Sequence, residues 1–409
     1  MRYFNVVVFL LSIIYSALTL PSMIPQYSVI LAIFLSMNIL GNIFLSKVNI
    51  YDNATVSDHG YTDLYLPVFS LLILSLLLIS RSFYPESNIY AYVSLFVLHL
   101  LFFIFCFITK DNINTYVKAY VIFAFIMSSA GLASFFLQVF DLIDTSSYVN
   151  LSELTNGRFT RDSGREDSYL FPYYLGFILK GDGLFNIAGF EFYRISGWAH
   201  EPTSATFFVV PAIIILFYSK IFRKQLTRIA LLLIIFGFWI FSMAVGSVIV
   251  VLGLFVIVTF LSIFRNNFPK KESMFIFISM IIGLPLVVYF LYFYPSAFDL
   301  ILSKYTGSSK TVSVAINQLT WFVPDIKKTL PFYLSHIFMW VIIFSFFYIS
   351  LKEILSRRFV DVHSLVLLYL VLHSMKGSQE NVFLLLFIFF WFYVVCYGVS
   401  SSEDGFKFH

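Results

Sequence analysis

Long runs of uncharged apolar residues recur along the whole chain, and they constrain its fold more than any other feature. Hydrophobic residues make up 60% of the 409 positions and charged residues only 12%, whereas ordinary globular domains carry about 25% charged residues. A helix needs about 20 apolar residues to cross the hydrocarbon core of a bilayer. The chain is therefore predicted to fold in a membrane, which excludes a soluble enzyme, a disordered protein and a nucleic-acid-binding protein.

Twelve runs are apolar enough to be membrane-spanning helices. The apolar stretch from 229 to 264 is too long for one crossing, so a tight hairpin is placed near residues 242–247. The approximate spans are 3–20, 26–45, 64–80, 89–109, 119–140, 203–220, 229–243, 246–264, 273–294, 334–351, 362–375 and 382–399. The sequence thus predicts an all-α polytopic membrane protein of about 12 transmembrane helices.

Basic residues in the short loops predict the orientation, since cytoplasmic loops carry an excess of lysine and arginine. The strongly basic short loops all fall on the side of the two termini, and the opposite short loops contain only Arg81 and Lys376. Both termini are therefore predicted to be cytoplasmic. The resulting organisation is helices 1–5 in 1–140, a long outer loop in 141–201, helices 6–9 in 202–294, a second outer loop in 295–333, and helices 10–12 with a short tail in 334–409.

The two long outer loops are expected to contain short interfacial or re-entrant helices. Residues 169–190 are strongly apolar but interrupted by proline and glycine, so each apolar piece is too short to cross a bilayer. No predicted span carries Asp, Glu, Lys or Arg near its middle, and such charges usually mark an ion or proton pathway. The sequence therefore argues against an ion-coupled transporter and favours chemistry at the outer membrane face.

The end of the first outer loop combines an arginine, a histidine and a carboxylate within eight positions. Arg194, His200 and Glu201 precede Pro202, which suits the first turn of a helix, and Gly197 supplies a turn. Arginine pairs with phosphate oxygens, and histidine or glutamate can act as a general base. An ordinary helix start explains the glutamate, the proline and the glycine. The full set additionally indicates a site that binds a phosphate and deprotonates a hydroxyl.

The pattern Arg-x-x-Gly-x-x-x-Glu-Pro in residues 194–202 opens a predicted transmembrane helix after a long outer loop. In this pattern, and in its many helices, basic outer loops and helical hairpin, the chain resembles the bacterial O-antigen and capsular polysaccharide repeat-unit polymerases, the Wzy family. Members of that family often have Ser-Arg at the hairpin. The nearby Ser242 and Ser247 have no arginine beside them, so no role is assigned to them.

The resemblance implies a glycosyltransferase that needs neither a metal nor a cofactor. It would transfer a growing glycan from undecaprenyl pyrophosphate onto a lipid-linked repeat unit at the outer face of the bacterial cytoplasmic membrane. The implied partners are these lipid-linked oligosaccharides, the membrane lipids, and a chain-length regulator and flippase of the same pathway, with no nucleic acid.

Such a reaction needs fixed cations beside the departing pyrophosphate and a base for the attacking hydroxyl. Arg194 is predicted to act on the pyrophosphate, with His200 or Glu201 as the base; Glu201 could equally orient His200. The residues predicted to bind pyrophosphate or glycan are Arg165, Lys304, Lys310, His373, Lys376 and Glu380. For any one of these residues, an ordinary solvated charge or polar turn is the competing interpretation. No His, Cys or carboxylate spacing indicates a metal site.

Two other functions remain open. An O-antigen ligase resembles these polymerases in fold and donor, but ligases have a large late outer loop with a His-Asn-type motif. Here Ser374 follows His373, and the loop is short. A lipid-linked oligosaccharide flippase is expected to line a central cavity with charges, and the predicted spans carry none near their middle. The sequence therefore favours the polymerase.

Overall fold

The computed structural model of the chain is predominantly helical in the residues that it describes. Those residues are 1–18, 26–49, 62–82, 89–143, 169–179, 185–187, 190–199, 201–219, 221–242, 244–264, 330–356, 362–375 and 384–397. The helices are α1 (Arg2–Ala17), α2 (Tyr27–Asn49), α3 (Thr62–Ser82), α4 (Ile89–Ile108), α5 (Ile113–Val139), α6 (Pro202–Tyr218), α7 (Gln225–Phe241), α8 (Val245–Phe264), α9 (Leu330–Ser356), α10 (Val362–Met375) and α11 (Leu384–Tyr397).

Each of these helices lies on one of the predicted spans. The ninth predicted span, 273–294, and the second outer loop, 295–333, lie outside the described residues. Three of the described segments are long and apolar enough to cross a membrane: Tyr27–Leu45, Lys110–Val139 and Ile337–Ile354. The other apolar helices among the described residues are shorter. The structure therefore has the helical and apolar character of a membrane protein, while the number of crossings stays a prediction.

The outer surface of the helical bundle carries large apolar side chains. On α2 the exposed residues are spaced three or four positions apart and form one continuous stripe: Val29, Ile33, Met37, Leu40 and Phe44. Residues with that spacing lie on one face of a helix. Soluble monomers rarely expose a contiguous apolar surface of this kind. The stripe is therefore the face that α2 presents to lipid.

Helix α11, by contrast, is buried around its whole circumference. Every side chain from Leu385 to Val395 is buried, and a helix that is hydrophobic on all sides belongs in the interior of a bundle. Its rings pack against several neighbouring helices, as in the contacts of Trp391 with Tyr120 and of Phe387 with Phe207. Helix α11 thus forms the centre against which α1, α5, α6 and α10 are arranged.

Two hydrogen bonds establish the relative directions of three helices. The guanidinium of Arg2 donates to the hydroxyl of Thr115 over 2.9 Å, which places the starts of α1 and α5 at the same end of the bundle. At the opposite end, the backbone N–H of Phe387 donates to the hydroxyl of Ser16 over 3.0 Å, so the end of α1 meets the start of α11. These directions agree with the predicted alternation. That the Arg2 end faces the cytoplasm is a prediction from the basic loops.

The first outer loop is where the structure differs from the prediction. In residues 169–179, 185–187 and 190–197 the structure has short strands instead of the expected interfacial or re-entrant helices, with a 3₁₀ turn at Pro172–Tyr174. The strands are β1 (Tyr169–Leu170), β2 (Phe177–Leu179), β3 (Phe185–Ile187), β4 (Phe190–Phe192) and β5 (Arg194–Gly197). They pair antiparallel in a β1-β2-β5 sheet and a β3-β4 hairpin. Pieces this short are marginal as helices, and pairing between strands satisfies their backbone groups instead.

Three asparagines join α1 to α2. The side-chain N–H of Asn38 donates to the side-chain oxygen of Asn5 over 2.8 Å. The amide of Asn42 lies 3.2 Å from the same Asn5 oxygen and 2.7 Å from the Asn38 side-chain oxygen. Asn5 and Asn38 are both buried. Buried polar groups must be hydrogen-bonded, so these amides fix the pairing and the register of the two helices.

We expect Asn5→Ala to destabilise the protein by about 1–2 kcal/mol, because it leaves the buried Asn38 amide without its acceptor. Thermal unfolding in detergent measures the change. Ser75→Ala is the matched control, since the Ser75 hydroxyl bonds only within its own helix, to the carbonyl of Leu72. Equal unfolding temperatures for the two variants would contradict the role of the asparagines.

Candidate functional site

Arg194 lies on strand β5, which passes through the interior of the protein. The four residues of the strand are buried, and Arg194 itself is only 5% exposed. The strand pairs with β2 in the register Arg194↔Leu179 and Ile195↔Ile178, and it packs against α5 and α6. The sheet therefore fixes the backbone from which the guanidinium projects. We call the described residues 194–199 and 201–202 the β5–α6 junction.

Three glycines let the sheet approach the helices closely. A Cβ atom on Gly176 would come within 3.2 Å of the Cα of Gly197 and 3.3 Å of the Cα of Gly131, which belongs to α5. A Cβ atom on Gly131 would lie 2.4 Å from the ring of Phe238 in α7. Gly197 has a positive φ of 57°, a conformation that glycine adopts readily, and it forms the turn expected there. The parts played by Gly131 and Gly176 were not predicted from the sequence.

The β5–α6 junction lies deep along α5. The ring of Trp198 packs on Phe123 with centroids 5.6 Å apart, and Gly197 lies beside Met127. Phe123 precedes the end of α5 at Val139 by 16 residues, which corresponds to about 24 Å of helix. That this segment lies at the membrane surface stays a prediction. Among the described helices it is recessed between α5, α6 and α7, where the sheet satisfies backbone groups that would otherwise require water.

Helix α6 begins at this recessed position. Pro202 is its first residue, as the sequence predicts, and Glu201 is the N-cap. The carbonyl of Glu201 accepts the first helical hydrogen bond from Ala205 over 2.9 Å, while its side chain makes no capping hydrogen bond. The half-buried Glu201 is therefore the residue at the N-terminus of α6, which is the positive end of the helix dipole.

Two tyrosines bond to the backbone of α6 near its start. The hydroxyl of Tyr120 in α5 donates to the carbonyl of Phe208. The hydroxyl of Tyr369 in α10 donates to the carbonyl of Thr206 over 3.2 Å. Both tyrosines are fully buried. The first turns of α6 are thus attached to two neighbouring helices by hydrogen bonds as well as by apolar packing.

His373 is brought to the same part of α6. It lies in the last turn of α10 and is 1% exposed. Its ring centroid is 5.2 Å from that of Phe207 and 5.7 Å from that of Tyr369. Phe207 follows Glu201 by six residues, about 9 Å along the helix. The structure therefore places His373 beside the first turns of α6, while Arg194 lies on β5 and Glu201 follows it at the N-cap of α6.

The remaining predicted site residues lie outside the described residues. These are His200, Arg165, Lys304, Lys310, Lys376 and Glu380. Within the part of the chain that the structure describes, no group of three or more His, Cys, Asp or Glu side chains has an arrangement that could hold a metal ion.

The two serines of the α7–α8 hairpin have local structural partners. The Ser242 hydroxyl donates to the carbonyl of Trp239 over 2.7 Å. The Ser247 hydroxyl donates to the carbonyl of Ala244 over 2.8 Å and accepts from the Trp239 indole over 2.7 Å. Both serines are fully buried. These bonds hold the connection between the two helices, which agrees with assigning the serines no chemical role.

Comparison of the chain with protein-family models, with curated proteins and with solved structures gives no match.

We expect Gly176→Ala to destabilise the protein by about 1–3 kcal/mol, because the added methyl group meets backbone atoms that cannot move aside. Gly253→Ala is the control, since a Cβ at Gly253 has nothing within 4 Å. Thermal unfolding of both variants in detergent measures the difference. The close packing of sheet on helix would be refuted if Gly176→Ala unfolded at the wild-type temperature.

Proposed function

We propose that the chain is a polysaccharide polymerase of the bacterial cytoplasmic membrane, with about twelve crossings and both termini in the cytoplasm. It transfers a growing glycan from undecaprenyl pyrophosphate onto a lipid-linked repeat unit, in O-antigen or capsule biosynthesis. The observation that supports the proposal is the β5–α6 junction, where the strand that carries the buried Arg194 leads into the N-terminus of α6, with Glu201 as its N-cap.

The cost of burial is the first argument for a functional site. Removing a charged side chain from water is costly, and charged residues inside membrane proteins usually mark a site of function. Arg194 lies on a strand that packs on α5 and α6 and whose Gly197 lies close to Phe238 of α7. A cation on so well-supported a backbone is suited to stabilise charge that develops on a leaving group, because little reorganisation is needed during the reaction.

The reaction assigns a separate task to each charged group. The oxygen of an acceptor hydroxyl bonds to the anomeric carbon of the donor glycan, and the bond from that carbon to pyrophosphate breaks. The electron pair stays on the pyrophosphate, where Arg194 and the N-terminal N–H groups of α6 stabilise it. The hydroxyl proton passes to Glu201 or His200. Lys304, Lys310 and Arg165 add positive charge at the pyrophosphate, and Lys376 and Glu380 bind glycan.

His373 contributes from the neighbouring helix. Its burial against Phe207 places it beside the first turns of α6, so it shapes the wall of the site. The exposed apolar stripe on α2 indicates that the bundle is surrounded by lipid. The polyprenyl chain of the donor is apolar like the lipid, and the donor approaches the protein from the bilayer.

A flippase for lipid-linked oligosaccharides is the second candidate. The sequence argued against it because no predicted span carries a central charge. The recessed position of the β5–α6 junction weakens that argument, since Arg194 is buried on the strand whose last residue, Gly197, lies beside Met127 of α5. A cation at this depth also suits the passage of a pyrophosphate headgroup. The two functions differ in whether a glycosidic bond forms.

Reconstitution with lipid-linked repeat units separates these functions. We expect the purified protein in liposomes to produce a ladder of longer glycans. Arg194→Ala should reduce the rate of elongation by about 10²–10³-fold, the usual effect of removing one preorganised stabilising group. Arg223→Ala, an exposed arginine at the start of α7, is the control and should elongate normally. Translocation of the substrate without any ladder would establish the flippase instead.

The base can be identified with the matched amide. We expect Glu201→Gln to lower kcat by about 10²–10⁴-fold, because the amide keeps the size of the side chain but cannot accept a proton. KM should change little, and initial rates of elongation measure both constants. Glu353→Gln, on α9, is the control. A wild-type kcat for Glu201→Gln would exclude this carboxylate as the base and leave His200 for that task.

A further inference from the structure

We propose that Tyr120 and Tyr369 are positioning residues for the β5–α6 junction. Their hydroxyls hold the first half of α6 from two sides and thereby set the place of Glu201 and Arg194 in the site. The inference rests on the proposed function for its catalytic consequence. The claim that the two hydroxyls hold the first half of α6 in place depends only on the geometry of α6 and its neighbours.

A proline in the middle of α6 interrupts the hydrogen-bond pattern of this helix. Pro211 has no backbone N–H, so the carbonyl of Phe207 lacks its usual helical donor, and the proline ring crowds that same carbonyl. Interior prolines bend or break helices for this reason. The first half of α6, residues 202–210, is consequently less strictly coupled to the second half than it would be in an unbroken helix.

The two tyrosines bond to the turn that precedes this interruption. Tyr369 donates to the carbonyl of Thr206, and Tyr120 donates to the carbonyl of Phe208. These carbonyls are two residues apart, which corresponds to about 200° around a helix. The hydroxyls therefore approach α6 from nearly opposite sides. One belongs to α5 and the other to α10, so the first half of α6 is held between two helices.

The chemistry of the two residues indicates that the hydroxyls are needed. A phenylalanine would fill nearly the same space, and a buried hydroxyl is unfavourable unless it is hydrogen-bonded. Both tyrosine side chains are fully buried. The ring of Tyr120 is fixed by Phe387 and Trp391 of α11, and that of Tyr369 contacts His373. Rigid rings give the donated hydrogen bonds a defined direction.

The part of α6 that is held is also the part that carries the proposed chemistry. Pro202 and Glu201 begin the helix, and strand β5 with Arg194 leads directly into it. A shift of the first half of α6 would therefore move the carboxylate and the guanidinium together. Misplacement of reacting groups by about 1 Å can reduce a rate by about 100-fold. Small displacements of α6 are thus expected to lower kcat.

The first test measures the position of α6 without using activity. Ser204, in the first turn of α6, is replaced by cysteine in a protein whose Cys106 and Cys396 are changed to serine, and its rate of modification by a small maleimide is recorded. We expect Tyr120→Phe and Tyr369→Phe each to raise this rate about threefold, and the double variant about eightfold, from the usual strength of interhelical hydrogen bonds in membranes. An unchanged rate in the double variant would overturn the proposal.

Tyr116→Phe is the matched control. Tyr116 is buried on α5 one turn before Tyr120, and its ring packs on Phe9 and Phe105 instead of on α6. We expect this variant to leave the thiol reactivity at position 204 at its starting value. An equal rise in Tyr116→Phe would show a general loosening of α5 and would also overturn the proposal.

The second test uses elongation rates of the folded protein. We expect the double variant Tyr120→Phe/Tyr369→Phe to lower kcat at least tenfold and to change KM less than twofold, since substrate binding involves groups beyond α6. A purely structural role would reduce the amount of folded protein and leave its kcat unchanged. Raised thiol reactivity with normal kcat would overturn the positioning role. If the wild-type protein forms no ladder, the polymerase proposal fails, while the thiol test still decides whether the tyrosines hold α6.

Discussion

The need to satisfy backbone hydrogen bonds away from water governs this structure. A helix does so within itself, which is why the apolar runs become helices. A non-helical segment among those helices must find its partners elsewhere. Strands β1, β2 and β5 pair with one another, and the glycines at 131, 176 and 197 let this small sheet lie directly against α5 and α7. Because the sheet supplies its own hydrogen bonds, a charged residue can be carried to a depth that an isolated loop would not tolerate.

Hydrogen bonds from neighbouring helices also hold α6. Pro211 removes the bond to the carbonyl of Phe207, and the hydroxyls of Tyr120 and Tyr369 bond to the carbonyls of the residues on either side, Phe208 and Thr206. These bonds do not replace the one that proline removes. They attach the first half of α6 to two different helices, α5 and α10. The start of α6, with Glu201, is placed by these attachments as much as by its own sequence.

Long uncharged apolar runs were sufficient to predict the described helices, because length and lack of charge are properties of each segment alone. It also predicted that α6 begins at Pro202 and that Gly197 forms a turn, since both depend on local backbone conformation. The strands of the first outer loop were missed. Their pairing joins Phe177 to Gly197, a contact between distant positions that no local pattern encodes. For the same reason, the sequence did not indicate that Tyr120 and Tyr369 meet at α6, or that Gly131 lies against Gly176.

The recessed position of Arg194 changes what the absence of charge in the spans means. Charge inside a membrane protein is usually sought within the spanning helices, and by that criterion this chain has no interior charge. The β5–α6 junction supplies one from a loop, and it does so at a fixed place beside a helix N-terminus. A transport pathway needs polar groups in series, whereas a single buried cation on a strand that is packed against helices is suited to one chemical step on one leaving group. This difference is the reason that we propose transfer of a glycan before its translocation.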